Sequence, residues 1–163
     1  MELSYKEIRA QICDVCHKMW QLGWVASNDG NVSVKLSDGT FLATPTGVSK
    51  SMVTPEMIVH INKAGEMIET VSSEMRMHFR CYEEREDVGA VLHAHPPVAT
   101  GFAVADIPLD EYSMIETVLA LGSVPIAPYA TPSTDEVPDA ITPYLQEHDA
   151  ILLKNHGAVT VGA

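Results

Sequence analysis

The chain has 163 residues, of which 46% are hydrophobic and 20% charged, a composition typical of one globular domain with a buried core. Its formal net charge of −12 argues against nucleic acid or an anionic membrane as a partner, because both bind basic faces. No apolar run approaches the ~20 residues that span a bilayer, and the N-terminus lacks the layout of a secretory signal, so we expect a cytoplasmic protein.

The chain opens with a predicted amphipathic helix. Ser4 and Glu7 have the spacing of a capping box, apolar residues recur at helical intervals, and Gly23 provides an end signal. Cys13 and Cys16 form a C-x-x-C pattern inside this helix, but no second pair follows. A packing role is therefore favoured over a metal or redox role.

Strand and helix patterns then alternate along the rest of the chain. Residues 30–47 indicate a hairpin with Asp38 and Gly39 in its turn, and residues 57–62 and 66–70 indicate a second strand pair. The remaining predicted elements are helices at 72–85, 97–105, 111–122 and 133–148, the last bent at Pro143, and strands at 88–95, 124–130, 150–153 and 158–162. Because strands and helices are intermixed, we expect an α/β or α+β domain around one sheet with helices on both faces.

Two histidines, His93 and His95, lie two residues apart in the stretch AVLHAHPPVA, on a predicted buried strand. Side chains at i and i+2 of a strand point to the same face, so both imidazoles can reach one metal ion. His156 stands just after the strand at 150–153, and if that strand neighbours the first, the three imidazoles converge at one rim of the sheet. Three histidines with one open position form a catalytic zinc site, whereas unrelated core histidines are the alternative.

Glu74 lies in the predicted first turn of a helix, where the helix dipole favours a carboxylate. The functional alternative is a general base beside the metal, with a pKa raised by partial burial and tuned by the cation. His78, four residues later, shares the helix face and is expected to pack or orient rather than bind metal. No role is assigned to three other histidines in ordinary contexts: His17, His60 and His148.

Small polar residues cluster at the ends of several predicted elements and could bind a phosphate. The segments SNDGNVS, TPTGVSK and SSE offer hydroxyls and backbone N–H groups, and Ser72 and Ser73 lie at a helix N-terminus. Each segment alone is also typical of a cap or a turn. Lys50 could add positive charge, or its loop could simply expose it. The absence of a P-loop or dinucleotide fingerprint disfavours nucleotide binding.

Taken in order, these segments resemble the class II aldolase/adducin family, and within it the branch of L-fuculose-1-phosphate aldolase-like proteins. The matching residues are Gly30-Asn31-Val32-Ser33, Thr44-Pro45-Thr46-Gly47, Ser72-Ser73-Glu74, His93-Ala94-His95, Ala127-Pro128-Tyr129 and Asn155-His156-Gly157. The resemblance implies an α/β fold of three layers, αβα, with one central, mostly antiparallel sheet covered by helices on both faces. It also implies a homotetramer with active sites at subunit interfaces.

The resemblance further implies a chemistry. It assigns one zinc ion to His93, His95 and His156, and an acid/base role to Glu74, which also approaches the metal when substrate is absent. It assigns the phosphate of a dihydroxyacetone-phosphate unit to five residues: Asn31, Thr46, Gly47, Ser72 and Ser73. The implied activity is that of a zinc-dependent aldehyde-lyase, which cleaves a ketose 1-phosphate to dihydroxyacetone phosphate and an aldehyde through a metal-stabilised enediolate.

Two features depart from the family pattern. Aldolases of this branch use a tyrosine of the neighbouring subunit to protonate the oxygen of the leaving aldehyde; Tyr112 is the candidate here, with Met114 as the alternative occupant of that position. Family members also continue into C-terminal helices, which a domain spanning residues 1–163 is expected to lack.

Other activities of the same family are alternatives. Sugar-phosphate 4-epimerases usually carry Asp at the position of Glu74, which favours the aldolase. Methylthioribulose-phosphate dehydratases also carry Glu there and stay open, as do tetronate-phosphate decarboxylases. A non-catalytic, adducin-like interaction domain is disfavoured, because adducins lack the metal-binding histidines that this chain retains.

Overall fold

The computed structural model describes residues 3–63, 71–111 and 115–163. Its strands are β1 (Asn31–Lys35), β2 (Phe41–Ala43), β3 (Val59–Ile61), β4 (Ala90–Ala94), β5 (Ile126–Ala127), β6 (Ala150–Leu153) and β7 (Gly157–Gly162). They form one sheet in the order β3-β2-β1-β4-β7-β6-β5. Only the pair β5 and β6 is parallel among these strands. The expected single, mostly antiparallel sheet is confirmed.

Helices cover both faces of this sheet. They are α1 (Tyr5–Gln21), α2 (Met75–Glu84), α3 (Pro97–Ala105), α4 (Ile115–Ala120) and α5 (Glu136–Ile141), with 3₁₀ turns at Pro55–Met57 and Thr142–Tyr144. Alternation along β6 shows the two layers: Ile151 packs in the cluster formed with α2 and α5, whereas Leu152 packs with Ala103 of α3 on the opposite face. The three-layer α/β fold is therefore as expected. No helix in the described ranges is long and apolar enough to cross a membrane.

The N-terminal helix forms as its sequence predicts. The Ser4 side chain accepts a hydrogen bond from the backbone N–H of Glu7, and the Glu7 carboxylate accepts one from the backbone N–H of Ser4, which completes the capping box. Cys13 and Cys16 are buried free thiols in the core between α1 and the sheet. Their position agrees with the packing role.

Two predicted helices differ from the observed ones. The helix expected over 133–148 is α-helical only in α5 and then tightens into a 3₁₀ turn around Pro143, which has no backbone N–H to continue the ladder. Glu74 is the N-cap residue of α2 rather than part of its first turn, and its backbone N–H donates to Ser72 Oγ. The predicted strand at 66–70 and residues 112–114 lie outside the described residues.

Candidate metal and substrate site

The three histidines singled out from the sequence lie together at one end of the sheet. His93 is on β4, His95 directly follows this strand, and His156 lies in the turn between β6 and β7. One ring nitrogen of each lies within 4.8 Å of the others, and the Nε2 atoms of His93 and His95 are 3.0 Å apart. Within the described ranges this is the single group of three or more histidines, cysteines or carboxylates with metal-binding geometry.

The strand order explains the convergence, although the two strands named from the sequence are not neighbours. The strand at 150–153 does not neighbour the strand at 88–95, because β7 lies between them. Strand β7 brings His156 to the site, because β7 runs antiparallel beside β4 and its Ala158 pairs with Ala94 of β4. His156 precedes this pair by two residues, so it lies beside the end of β4 where the other two histidines are.

Two glycines permit the close approach of backbone around the histidines. A Cβ atom at Gly157 would lie 2.5 Å from the carbonyl oxygen of Ala94 and 2.6 Å from Cδ2 of His95. Gly30 has a left-handed φ of 71°, and a Cβ there would lie 2.9 Å from the carbonyl oxygen of His93. A side chain at either position would therefore displace a segment that carries a histidine.

The buried imidazole of His93 is oriented for ligation. Its Nδ1 lies 2.9 Å from the carbonyl oxygen of Ala158, so Nδ1 carries the proton and Nε2 presents a lone pair. Burial lowers the pKa of His93 to about 4; His156 and His95 also lower it, whereas Glu74 raises it. Because of this low pKa, the ring is neutral near pH 7. Nitrogens bound to one tetrahedral zinc are about 3.3 Å apart, close to the observed 3.0 Å between His93 and His95. The donor set therefore fits a divalent metal ion.

Glu74 faces the same point from the end of α2. Its Oε1 lies 3.2 Å from Nε2 of His156, its Oε2 lies 3.4 Å from Nε2 of His93, and Asn31 Nδ2 donates to Oε2 at 3.0 Å. Burial alone would raise the pKa of Glu74, but the hydrogen bond with His156, the charges of His93 and His156 and the bond from Asn31 together lower it to about 2. The expectation of a raised pKa is therefore wrong.

A polar cavity of about 280 Å³ opens beside the histidines and Glu74. Four of the five residues expected to bind phosphate line it: Asn31, Thr46, Ser72 and Ser73. Gly47 continues the turn after Thr46 with a left-handed φ of 72°, but it does not belong to the lining. Hydroxyl and amide donors thus surround a space within reach of the three imidazoles.

Lys50 also borders this cavity, but it is buried, with a relative exposure of 1%. Its Nζ donates to the carbonyl oxygens of Asn28 and Val48, each at 3.1 Å. The alternative in which its loop exposes this lysine is therefore excluded, because the segments before Gly30 and after Gly47 fold over its ammonium group. Lys50 ties the two loops that form one side of the cavity.

Among the lining residues that were not assigned from the sequence, Asp29 and Ser133 contact candidate site residues. Asp29 Oδ2 lies 3.7 Å from His95 Nδ1, on the ring edge opposite the nitrogen that faces His93. Ser133 has a left-handed φ of 66°, and its Oγ lies 2.7 Å from Ser73 Oγ. Asp29 lies within the segment SNDGNVS, whose small polar residues indicated phosphate binding, but Ser133 carried no local signal, since only the fold brings it to Ser73.

The other candidates lie elsewhere. The histidines without an assigned role contact oxygen atoms away from the cavity lining: His17 with Val53, His60 with Thr40 and His148 with Ser123. Tyr112, the expected proton donor, and its alternative Met114 are outside the described residues.

Comparison with known proteins adds three findings. The sequence matches the family of class II aldolase and adducin N-terminal domains over residues 10–163. L-Fuculose phosphate aldolase of Escherichia coli O6:H1 is 35% identical, in an alignment that covers 99% of this chain and 75% of that enzyme. 3-Oxo-tetronate 4-phosphate decarboxylase of Pectobacterium atrosepticum is 29% identical, in an alignment that covers 98% of this chain and 76% of that protein. L-Fuculose-1-phosphate aldolase from Thermus thermophilus superposes with a TM-score of 0.84 at 31% identity, over 94% of this chain and 77% of that structure.

Proposed function

Because the chain belongs to the class II aldolase and adducin family, we propose that it is a zinc-dependent aldolase that cleaves a ketose 1-phosphate, such as L-fuculose 1-phosphate, to dihydroxyacetone phosphate and an aldehyde. One observation carries this proposal: three histidine nitrogens and the Glu74 carboxylate surround one point beside a cavity lined with phosphate-type donors. The 35% identity to an L-fuculose phosphate aldolase supports the choice of substrate class.

We propose His93, His95 and His156 as the ligands of the zinc ion. When bound, zinc would supply Lewis-acid stabilisation of the negative charge that develops on substrate oxygens during carbon–carbon cleavage. The contact between His93 Nδ1 and the carbonyl of Ala158 supports this assignment, because it leaves Nε2 free for the metal. Asp29, near the outer ring nitrogen of His95, would orient that ligand in the same way.

Glu74 is the proposed acid/base. In the direction of condensation it would take a proton from the hydroxymethyl carbon of dihydroxyacetone phosphate, and in the direction of cleavage it would return this proton. The carboxylate is ionised at neutral pH, as a proton acceptor must be, although a pKa of about 2 by itself makes it a weak base. The hydrogen bond from Asn31 holds Oε2 of the carboxylate in place.

The substrate phosphate would bind among donors at the ends of β1, β2 and α2. The proposed residues are Asn31, Thr46, Gly47, Ser72 and Ser73, four of which line the cavity beside Glu74. Hydroxyl, amide and backbone N–H groups can bind a phosphate without a glycine-rich loop. Lys50 borders the same space and would add positive charge near the phosphate.

The proposal includes a homotetramer with active sites at subunit interfaces, in which Tyr112 of a neighbouring subunit would protonate the aldehyde oxygen during condensation and take the same proton from the substrate hydroxyl during cleavage. Exposed apolar side chains on α3 and α4 support an interface there: Val98 and Ile115 are each 74% exposed and Leu119 is 82% exposed. Phosphorylated sugars do not cross membranes, because burying a charged group in hydrocarbon is unfavourable, so the expected location is the cytoplasm.

A decarboxylase of a 3-oxo acid phosphate is the second candidate. It is favoured by the 29% identity to 3-oxo-tetronate 4-phosphate decarboxylase over 98% of the chain. Both reactions break a carbon–carbon bond beside a carbonyl group and place negative charge on the same oxygen, so one metal and one carboxylate serve either. The leaving group distinguishes them: an aldehyde in one case and carbon dioxide in the other.

The test is an assay of zinc-reconstituted protein against ketose 1-phosphates and 3-oxo-tetronate 4-phosphate. Dihydroxyacetone phosphate is measured with a coupled reductase, and carbon dioxide release is measured in parallel. We expect dihydroxyacetone phosphate from at least one ketose 1-phosphate and no carbon dioxide. Because decarboxylation of 3-oxo-tetronate 4-phosphate also leaves dihydroxyacetone phosphate, the second candidate would be established by carbon dioxide release from that substrate with no product from the ketose 1-phosphates. Neither product from protein that holds one zinc per chain would overturn both.

A further inference from the structure

Five side chains form one hydrogen-bonded chain from the core to the candidate site: Tyr82, Ser33, His78, Asn31 and Glu74. We propose that His78 is a positioning residue that fixes the orientation of the Asn31 side-chain amide, so that its N–H groups face Glu74 and the phosphate-type donors. The part of this inference that concerns catalysis rests on the proposed function. The part that concerns the orientation of the amide stands on the geometry alone.

The contacts along the chain are short and shielded from water. Tyr82 Oη lies 2.8 Å from Ser33 Oγ, Ser33 Oγ lies 2.7 Å from His78 Nδ1, and His78 Nε2 lies 2.5 Å from Asn31 Oδ1. Asn31 Nδ2 then donates to Glu74 Oε2 at 3.0 Å. Tyr82, Ser33, His78 and Asn31 are all at most 5% exposed, so water does not compete for these bonds.

The donors and acceptors available on each side chain decide which group donates in every hydrogen bond of this series. Because the amide nitrogen of Asn31 donates to Glu74, its oxygen faces His78 and can only accept, which requires a proton on His78 Nε2. Burial keeps the imidazole neutral, so Nδ1 accepts, and Ser33 must donate to it. Because the Ser33 hydroxyl donates its one proton to His78, its oxygen can only accept a hydrogen bond from the Tyr82 hydroxyl. Every donor in the chain points toward Glu74.

The protonated Nε2 of His78 selects one of the two orientations of the Asn31 amide. If the amide rotated by half a turn, its oxygen would face the Glu74 carboxylate and its NH₂ group would face the N–H of His78, so both contacts would be repulsive. In the observed orientation the same amide nitrogen also lies 3.4 Å from Ser72 Oγ. Asn31 therefore contacts both the proposed acid/base and a proposed phosphate residue.

The placement of these residues joins a helix to a strand behind the site. Asn31 and Ser33 lie two apart on β1 and face the same side, where both contact the one imidazole of His78 on α2. Glu74 lies four residues before His78, one helical turn nearer the cavity. Polar groups on a buried strand face are costly unless they are paired, and His78 pairs both of them.

The tautomer of His78 tests the inference without any activity. Long-range ¹H–¹⁵N spectra of protein labelled at histidine, recorded with and without zinc and in the absence of substrate, identify which ring nitrogen is protonated. We expect His78 to be neutral with its proton on Nε2 at neutral pH. A proton on Nδ1, or on both nitrogens, would overturn the proposed direction of the chain.

Two substitutions at His78 and one matched control test the positioning role. His78→Leu removes both ring contacts, whereas His78→Gln keeps an amide donor near the position of Nε2. Cys81→Ala removes buried volume from the same helix without touching the chain of hydrogen bonds. We expect His78→Leu to lower kcat about 10- to 100-fold with zinc content unchanged, His78→Gln to restore part of that loss, and Cys81→Ala to keep kcat at the wild-type value.

The readouts separate this inference from the proposed function. Affinity for inorganic phosphate, measured calorimetrically on the zinc-loaded protein, is expected to fall in His78→Leu and not in Cys81→Ala. Wild-type kcat and phosphate affinity in His78→Leu would overturn the positioning role, as would an equal loss in Cys81→Ala. A wild-type protein without aldolase activity would contradict the proposed function, while the tautomer and the phosphate affinity would still decide the role of His78.

Discussion

The Nε2 atoms of His93 and His95 lie 3.0 Å apart at the end of β4. The proton of His93 is on Nδ1, which contacts the carbonyl of Ala158, so its Nε2 presents a lone pair toward His95. Two lone pairs at this distance repel unless a proton or a cation lies between them. With His156 and Glu74 facing the same point, one cation there would contact all four groups at once.

Zinc reconstitution is expected to yield one zinc per chain in the wild type. His93→Ala should lose metal and activity together, because it removes the most buried and best oriented ligand. Metal content after gel filtration is measured by mass spectrometry, with His60→Ala, a histidine outside the cavity, as the control that keeps its zinc. Zinc below about one tenth per chain in reconstituted wild type would contradict the metal site.

Glu74→Gln is expected to lower the rate by about 10²–10⁴ while zinc remains bound, because the amide cannot take up the proton at neutral pH. The measurement is kcat on the best ketose 1-phosphate from the substrate panel. Glu84→Gln changes an exposed glutamate at the far end of the same helix and is expected to leave the rate unchanged. Full activity in Glu74→Gln would refute the acid/base role.

Ser72→Ala is expected to raise KM for a phosphorylated ketose about 10-fold with a smaller change in kcat, because it removes a donor from the phosphate side of the cavity. Competitive inhibition by inorganic phosphate should weaken by a similar factor. Ser37→Ala, at an exposed position away from this cavity, is the control. An unchanged inhibition constant in Ser72→Ala would exclude Ser72 from the phosphate site.

Acid is expected to destabilise the fold through His78. Burial lowers the pKa of His78 to about 3, with a further lowering by His93 that Glu74 opposes; the imidazole also contacts Ser33 and Asn31. The unfolded state therefore binds a proton that the folded state does not, and the free energy of unfolding falls as pH decreases from about 6.5 toward 3.

The measurement for this pH effect is urea unfolding of wild type and His78→Gln at several pH values. Because glutamine does not titrate, the stability of the wild type relative to the variant should decrease steadily between about pH 6.5 and pH 4. A difference that stays constant over this range would show that His78 is already charged in the folded protein, or that it does not titrate on unfolding.

Much of the fold and part of the site were predictable from local pattern. The capping box of Ser4 and Glu7, the strand that carries His93 and His95, and the small polar segments at element ends depend on residues close together in sequence. Local geometry dictates their arrangement, since i and i+2 on a strand share a face and i and i+3 at a helix start share hydrogen bonds.

Contacts between distant parts of the chain were not predictable. The position of β7 between β4 and β6, the burial of Lys50 and the contact between His78 and Asn31 all depend on segments that meet only after folding. The pKa of Glu74 was predicted in the wrong direction for the same reason, because burial was anticipated and the opposing contacts from His156 and Asn31 were not.

The sequence by itself determined which residues can hold a metal, carry a proton and bind a phosphate, because these capacities belong to side-chain types and to short-range geometry. Only the tertiary structure decided how they act together. Asn31 and His78 are 47 residues apart in sequence, yet their contact sets the direction of every hydrogen bond that leads to Glu74. Charge and hydrogen bonding act through space, so the orientation and ionisation of the site follow from packing and not from order along the chain.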